Sequence, residues 1–66
     1  MEVLFSLKIE SGNEAFSDNP REEIRRILHE FLESLDGFEG HRKLRDINGN
    51  NVGHVYLEIE EEEDGY

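Results

Sequence analysis

Apolar residues follow a helical spacing in only one segment of this chain, and they alternate with polar residues in the segments on either side of it. The helical segment carries one apolar stripe, which consists of Ile24, Ile27, Leu28, Phe31, Leu32 and Leu35. A helix this short is stable in a protein when such a stripe is buried against another layer. The pattern therefore predicts one amphipathic helix packed against a sheet, with its stripe in the core.

The first alternating segment lies near the N-terminus. Val3, Phe5, Leu7 and Ile9 alternate with Leu4, Ser6, Lys8 and Glu10. Alternation with a period of two is typical of a strand with one buried face, so we expect the odd-numbered side chains to face the helix. In the connection that follows, Ala15 and Phe16 are predicted to fill the space between helix and sheet.

The helix has start and stop signals in the sequence. Asn19 can cap a free amide, Pro20 suits the first helical position, and Glu22 completes a capping box. Gly37 is expected to end the helix in a left-handed conformation.

The C-terminal half predicts a β-hairpin. Residues 41–47 and 52–60 form its arms, and residues 48–51, with the sequence Asn-Gly-Asn-Asn, form the turn. The second arm has an inward row at Val55, Leu57 and Ile59, whereas the first arm has only Leu44, which is typical of an edge strand.

These elements predict an α+β fold of the β-α-β-β type, with one amphipathic helix on one face of a three-stranded sheet. The strand order 1-3-2 makes every strand pair antiparallel, and the order 1-2-3 stays open as an alternative. We assign residues 1–59 to this domain and expect residues 60–66 to form a disordered acidic tail.

Composition limits the function. The 66 residues contain 17 Asp and Glu against 7 Lys and Arg, a formal charge of −10, and no Cys. This charge opposes binding to nucleic acid, even through the basic groups Arg21, Arg25 and Arg26 or Arg42, Lys43 and Arg45. The missing cysteines, together with the lack of a signal peptide or an apolar run of about 20 residues, predict a cytoplasmic protein that does not cross a membrane.

No residue pattern indicates a catalytic or cofactor site. Asp46, Asn48 and Asn50 resemble the start of a calcium loop, but Leu57 stands where such a loop needs a carboxylate. His29, His41 and His54 lie on three different predicted elements, so a zinc site would need them to converge in space. We predict no catalytic residue, no metal and no cofactor, and hence a protein that is not an enzyme.

Protein–protein interaction is the predicted function. The sheet face without a helix would present Leu4, His54 and Tyr56 to a partner or to a second copy of the chain. Acidic residues would complement a basic partner surface; those in this group are Glu22, Glu30, Glu33, Glu60, Glu61, Glu62 and Glu63. One alternative is an inhibitor whose carboxylates imitate DNA phosphates, to which Asp36 on the helix would also contribute. A second alternative is a calcium- or zinc-binding protein.

Two segments carry a resemblance to a known group of proteins. The segment from Gly12 to Pro20, which leads into Glu23, Ile24, Arg26, Ile27 and Leu28, and the segment from Leu44 to Gly53 resemble a family of small uncharacterised proteins encoded by bacteriophages and prophages. The resemblance implies a phage-encoded accessory protein in the host cytoplasm. It implies no catalytic residues, because the family has no established function.

Overall fold

A computed structural model describes residues 1–61. It contains strand β1 (Glu2–Ile9), helix α1 (Pro20–Glu33), strand β2 (Gly40–Arg45) and strand β3 (Asn51–Glu60), with short 3-10 turns at Glu14–Phe16 and Leu35–Gly37. The strands form one antiparallel sheet in the order β1-β3-β2. The predicted α+β fold and strand order 1-3-2 are confirmed. Within residues 1–61, no helix has both the length and the apolar character needed to cross a membrane.

The start of α1 follows the sequence signals more closely than its end. The side chain of Asn19 accepts a hydrogen bond from the backbone N–H of Glu22 at 3.1 Å, and Pro20 is the first helical residue. The carboxylate of Glu22 contacts Arg25 at 2.6 Å, so the reciprocal half of the predicted capping box is replaced by an ion pair along the helix. The expected helix end at Gly37 is wrong: α1 ends at Glu33 and a 3-10 turn follows, so Gly37 needs no left-handed conformation.

The hairpin turn is longer than predicted, because β2 stops at Arg45. The backbone N–H of Asp46 donates to the carbonyl of Asn50 at 2.9 Å, and Gly49 adopts the positive φ of 86° that closes the turn. A bulge between Leu44 and Arg45 shifts the β2–β3 register. The predicted Asn-Gly turn is therefore present, but the turn begins at Asp46.

The core lies beneath α1 on the side of the hairpin. Its buried apolar residues are Ile27, Phe31, Phe38, Leu44, Val52, Val55 and Leu57. Strand β1 adds only the partly buried Leu7 and Ile9 to this cluster, and Phe16 packs against it as predicted.

Two expectations about burial are wrong in part. The alternation predicts that Val3 and Phe5 face the core, but 57% and 49% of their surface is exposed. In the helix stripe, Ile27 and Phe31 are buried, whereas Leu32 is 61% exposed. The helix covers β2 and β3 more fully than it covers β1.

Strand β3 continues through Glu60, the residue at which the sequence predicts the start of the tail. Glu61 follows it and is exposed. The predicted disorder of the tail, and the candidate residues Glu62 and Glu63 within it, fall outside the described residues 1–61.

Candidate protein-binding surface

An apolar groove runs between α1 and β1 on the helix side of the sheet. It has a volume of about 500 Å³ and only apolar side chains line it: Val3, Phe5, Leu7, Leu28, Phe31, Leu32, Leu35 and Leu57. Ile59, which pairs with Val3 across the strands and is 37% exposed, extends the apolar surface beyond one end. Large patches of contiguous apolar surface occur at protein-binding sites of soluble proteins, so this groove is a candidate for such a site.

Polar contacts join the start of α1 to the hairpin, on the side of the helix away from the groove. The buried carboxylate of Glu23 accepts hydrogen bonds from Arg26 at 2.9 and 3.1 Å and from the backbone N–H of Ile47 at 2.8 Å. The Arg26 guanidinium also lies 3.4 Å from the carbonyl of Arg45. The hydrogen bonds from Arg26 lower the pKa of Glu23 against the opposing effect of burial, and the N–H of Ile47 lowers it further.

The C-terminal end of α1 is held on the same side. Arg42 on β2 donates a hydrogen bond to the hydroxyl of Ser34, and its guanidinium lies 4.9 Å from the centre of the Phe38 ring. Phe31 packs between two aromatic rings, with centroids 5.3 Å away at Phe38 and 6.1 Å away at Phe5. The Phe5 ring is thus covered on the side of Phe31 and remains open toward the groove.

Strand β1 borders the groove and has a free edge. The backbone N–H of Glu10 donates to the carbonyl of Val52 just beyond the paired strands, so the even-numbered backbone groups of β1 point toward β3. The groups of Val3, Phe5 and Leu7 therefore point outward. A row of outward donors and acceptors beside an apolar groove can accept an additional strand.

Gly53 allows β1 and β3 to approach closely near the C-terminal end of β1. A Cβ atom at this position would lie 1.9 Å from the carbonyl oxygen of Lys8, so the two backbones approach closely where Gly53 pairs with Ile9. A larger residue at position 53 would therefore push β1 away from β3.

The predicted calcium candidates have another role. The Asp46 carboxylate accepts hydrogen bonds from the backbone N–H groups of Asn48 and Asn50 and from the side-chain amides of Asn13 and Asn50. Burial alone would raise the pKa of Asp46, but these hydrogen bonds, first those from Asn50, lower it overall. The loop presents N–H donors to Asp46, whereas a calcium site would present oxygen ligands to the ion.

The three histidine side chains do not converge on one site. His41 and His54 stack on the open sheet face with centroids 5.5 Å apart, and His29 lies on α1 beside Glu33 at 3.6 Å. Among residues 1–61, no group of three or more His, Asp or Glu side chains is placed to hold a metal ion.

The open sheet face carries the predicted partner residues Leu4, His54 and Tyr56. Leu4 is 55% exposed and pairs with Glu58, while Tyr56 is half-buried between Ser6 and His41. Burial raises the pKa of Tyr56, and the negative charge of Glu58 raises it further. This face offers one exposed aliphatic side chain amid polar neighbours, which is less apolar surface than the groove provides.

The helix carboxylates that were predicted to contact a partner lie beside basic side chains of the same helix. Glu22 contacts Arg25, Glu30 contacts Arg26 at 3.0 Å, and Glu33 lies beside His29. Glu60 lies instead at the end of β3, in the register of Glu2. The predicted partner residues are therefore divided between the helix surface and the sheet.

Sequence reasoning missed the role of Glu23. It precedes Ile27 by one helical repeat of four residues and therefore lies on the buried stripe, with Arg26 close to it on the helix surface. A carboxylate in that position, with an arginine within reach, is the signal that could have identified the contact holding α1 to the hairpin.

Comparison of the chain with protein-family models, curated proteins and solved structures finds no match. A small α+β fold can host unrelated functions, so the fold alone assigns none, and the groove and the strand edge are the features that bear on function.

Proposed function

We propose that this protein binds an extended segment of another protein chain and performs no chemistry of its own. The segment adds to the free edge of β1 as a new strand, and its apolar side chains cover the groove. The observation that carries this proposal is the position of the groove directly beside the outward backbone groups of Val3, Phe5 and Leu7.

Strand addition combines two sources of affinity. Backbone hydrogen bonds to the edge are independent of the partner's sequence, whereas alternate side chains of the added strand enter pockets and provide specificity. Here the side chains on the helix side would meet Phe5 and Leu32, both substantially exposed. The expected partner segment therefore alternates apolar with polar residues.

The alternative of DNA mimicry has less support. A mimic needs free carboxylates arranged on one surface, but Glu22 and Glu30 lie in ion pairs with arginines of the same helix. The charge of −10 still favours a partner segment with basic residues at its polar positions. An accessory role of the phage type fits this proposal and stays a prediction.

Selection from a displayed library of random decapeptides tests the proposal. We expect the protein to enrich peptides that alternate apolar and polar residues. The variant Val3→Pro removes an outward N–H without removing a hydrogen bond to β3, because proline is tolerated on an edge strand when its nitrogen faces outward. It should lose most of this binding.

Ile47→Ser is the matched control. Ile47 is 67% exposed and lies in the hairpin turn, outside the groove. Its loss removes a comparable exposed apolar side chain and should leave peptide binding unchanged. Peptides without the alternating pattern, or equal binding by Val3→Pro, would refute strand addition at β1.

A further inference from the structure

We infer that a second copy of this chain binds at the same edge, with the two β1 strands antiparallel and Phe5 facing Phe5 across a twofold axis. This inference rests on the proposed function, since it uses the same edge and groove. A second copy of the chain is a ligand for this edge that is present whenever the protein is concentrated.

The backbone geometry suits this pairing. With Phe5 on the axis, Val3 faces Leu7 of the second copy and Leu7 faces Val3, so outward groups meet outward groups on both strands. The two sheets then become one continuous antiparallel sheet, and the free β1 edges are no longer exposed.

Charge selects this register. Glu2 and Lys8 lie at equal distances along β1 from Phe5 and on the same sheet face, so each Glu2 would face Lys8 of the second copy. In the single chain, Glu2 pairs across the sheet with Glu60, a carboxylate of the same charge. The incoming ammonium group would offset that repulsion.

Neighbouring registers lack this complementarity. A twofold axis at Ser6 would place Glu2 opposite Glu10, and an axis at Leu4 would place Glu2 opposite Ser6. Directly opposed like charges destabilise an antiparallel pair. The Phe5 register is therefore favoured over both.

The same symmetry brings the two grooves together. Residues paired across antiparallel strands point to the same face, so both α1 helices would lie on one side of the joined sheet. Val3 and Phe5 from each copy would then pack along the axis, with the exposed Leu32 on either flank. An isologous contact of this kind covers apolar surface in both copies at once.

Charge reversal tests the register by sedimentation velocity near a physiological ionic strength of about 0.15 M. Glu2→Lys would set two ammonium groups opposite each other, and Lys8→Glu would set two carboxylates opposite each other. Each variant alone should therefore dimerise about tenfold more weakly or worse. Mixing the two variants restores opposite charges at both symmetry-related positions of the heterodimer, so it removes the repulsion present in either homodimer.

The heterodimer has a defined charge pattern. Where the two chains meet, the Glu2→Lys chain presents ammonium groups at both ends of its strand, and the Lys8→Glu chain presents carboxylates at both ends of its own. Every facing pair in the heterodimer is therefore of opposite charge. The mixture should form this heterodimer about as readily as the unaltered chain forms its homodimer.

Lys8→Glu combined with Glu14→Lys in one chain is the control, because it has the net charge of the unaltered chain but Glu14 is exposed in a turn outside β1. This double variant should dimerise as weakly as Lys8→Glu alone. Full dimerisation by the double variant, or failure of the mixture of Glu2→Lys with Lys8→Glu, would overturn the register. A chain that stays monomeric at every concentration while it still selects alternating peptides would overturn the inference and leave the proposed function intact.

Cysteine cross-linking gives an independent measure, since the chain has no Cys of its own. In the Phe5 register, Leu4 faces Ser6 of the second copy within the Cα separation that a disulfide requires. A mixture of Leu4→Cys and Ser6→Cys should therefore oxidise to a heterodimer faster than either variant forms a homodimer. Faster homodimer formation by Ser6→Cys or by Leu4→Cys would instead indicate one of the neighbouring registers and overturn the Phe5 register.

Discussion

The carboxylate of Glu23 accepts a hydrogen bond from the backbone N–H of Ile47, with 2.8 Å between Oε2 and N. This contact joins the first turn of α1 to the hairpin turn, and Arg26 strengthens it through two further hydrogen bonds to the same carboxylate. The start of the helix is therefore held toward the β2–β3 turn, and the apolar groove lies on the other side of the helix, beside β1.

Replacing Glu23 with alanine should lower the melting temperature, because it leaves the N–H of Ile47 and the Arg26 guanidinium without their acceptor. Thermal unfolding followed by circular dichroism measures the effect. Glu22→Ala is the control: it removes an exposed ion pair worth at most about 0.5 kcal/mol. An equal loss in the two variants would show that the Glu23 contact does not fix the helix.

Acid should destabilise the protein through Glu23 and Asp46. The pKa of each is lowered in the folded state, so each favours folding at pH values above the usual carboxyl pKa of about 4. That contribution is lost as the pH falls through the lowered pKa values. Urea unfolding as a function of pH should show stability falling below about pH 4, with a shallower fall in Glu23→Gln. A Glu23→Gln profile parallel to that of the unaltered chain would contradict this assignment.

Gly53→Ala should destabilise the fold by about 2–3 kcal/mol, because the new Cβ would overlap the carbonyl oxygen of Lys8 and force β1 from β3. Gly12→Ala, where a Cβ meets no atom within 4 Å, should change the free energy of unfolding by less than about 0.5 kcal/mol. Urea denaturation measures both. Similar values for the two variants would mean that β1 can shift without cost.

The elements of the fold were predictable because their signals are local. Asn19 and Pro20 specify the helix start, and Gly49 supplies the positive φ of the turn. The position of α1 over β2 and β3, with β1 less covered, was not predictable in the same way. It depends on contacts between Glu23 and Ile47, which lie far apart in the sequence.

The groove on the helix side of the sheet was not predicted from the sequence, for the same reason. Alternation identifies the face of β1 that is apolar, but it does not say how far the helix reaches across that face. The pattern alone therefore places Phe5 and Leu32 in the core and leaves the open-face residue Leu4 for binding. The sequence signal of the groove was the width of the apolar stripe on the helix, which is greater than the sheet surface that covers it.

Leu32→Glu should separate binding from folding. Leu32 is 61% exposed, so this variant should change the free energy of unfolding of the dilute protein by less than about 0.5 kcal/mol. It should nevertheless abolish dimerisation and peptide binding, because a charge would enter the covered groove. Phe31→Ala, its neighbour in the core, should instead cost about 3–5 kcal/mol. Undiminished dimerisation by Leu32→Glu would place the interface elsewhere.

Residue-resolved amide hydrogen exchange reports whether β1 binds a strand at its outer edge. Exchange at Leu4 and Ser6 should be slow at all concentrations, because their N–H groups face β3. At Val3, Phe5 and Leu7 exchange should slow by about tenfold or more as the protein is concentrated from about 10 µM to about 1 mM. If exchange at these three residues stays fast and does not change with concentration or with added selected peptide, β1 does not bind a strand at its outer edge.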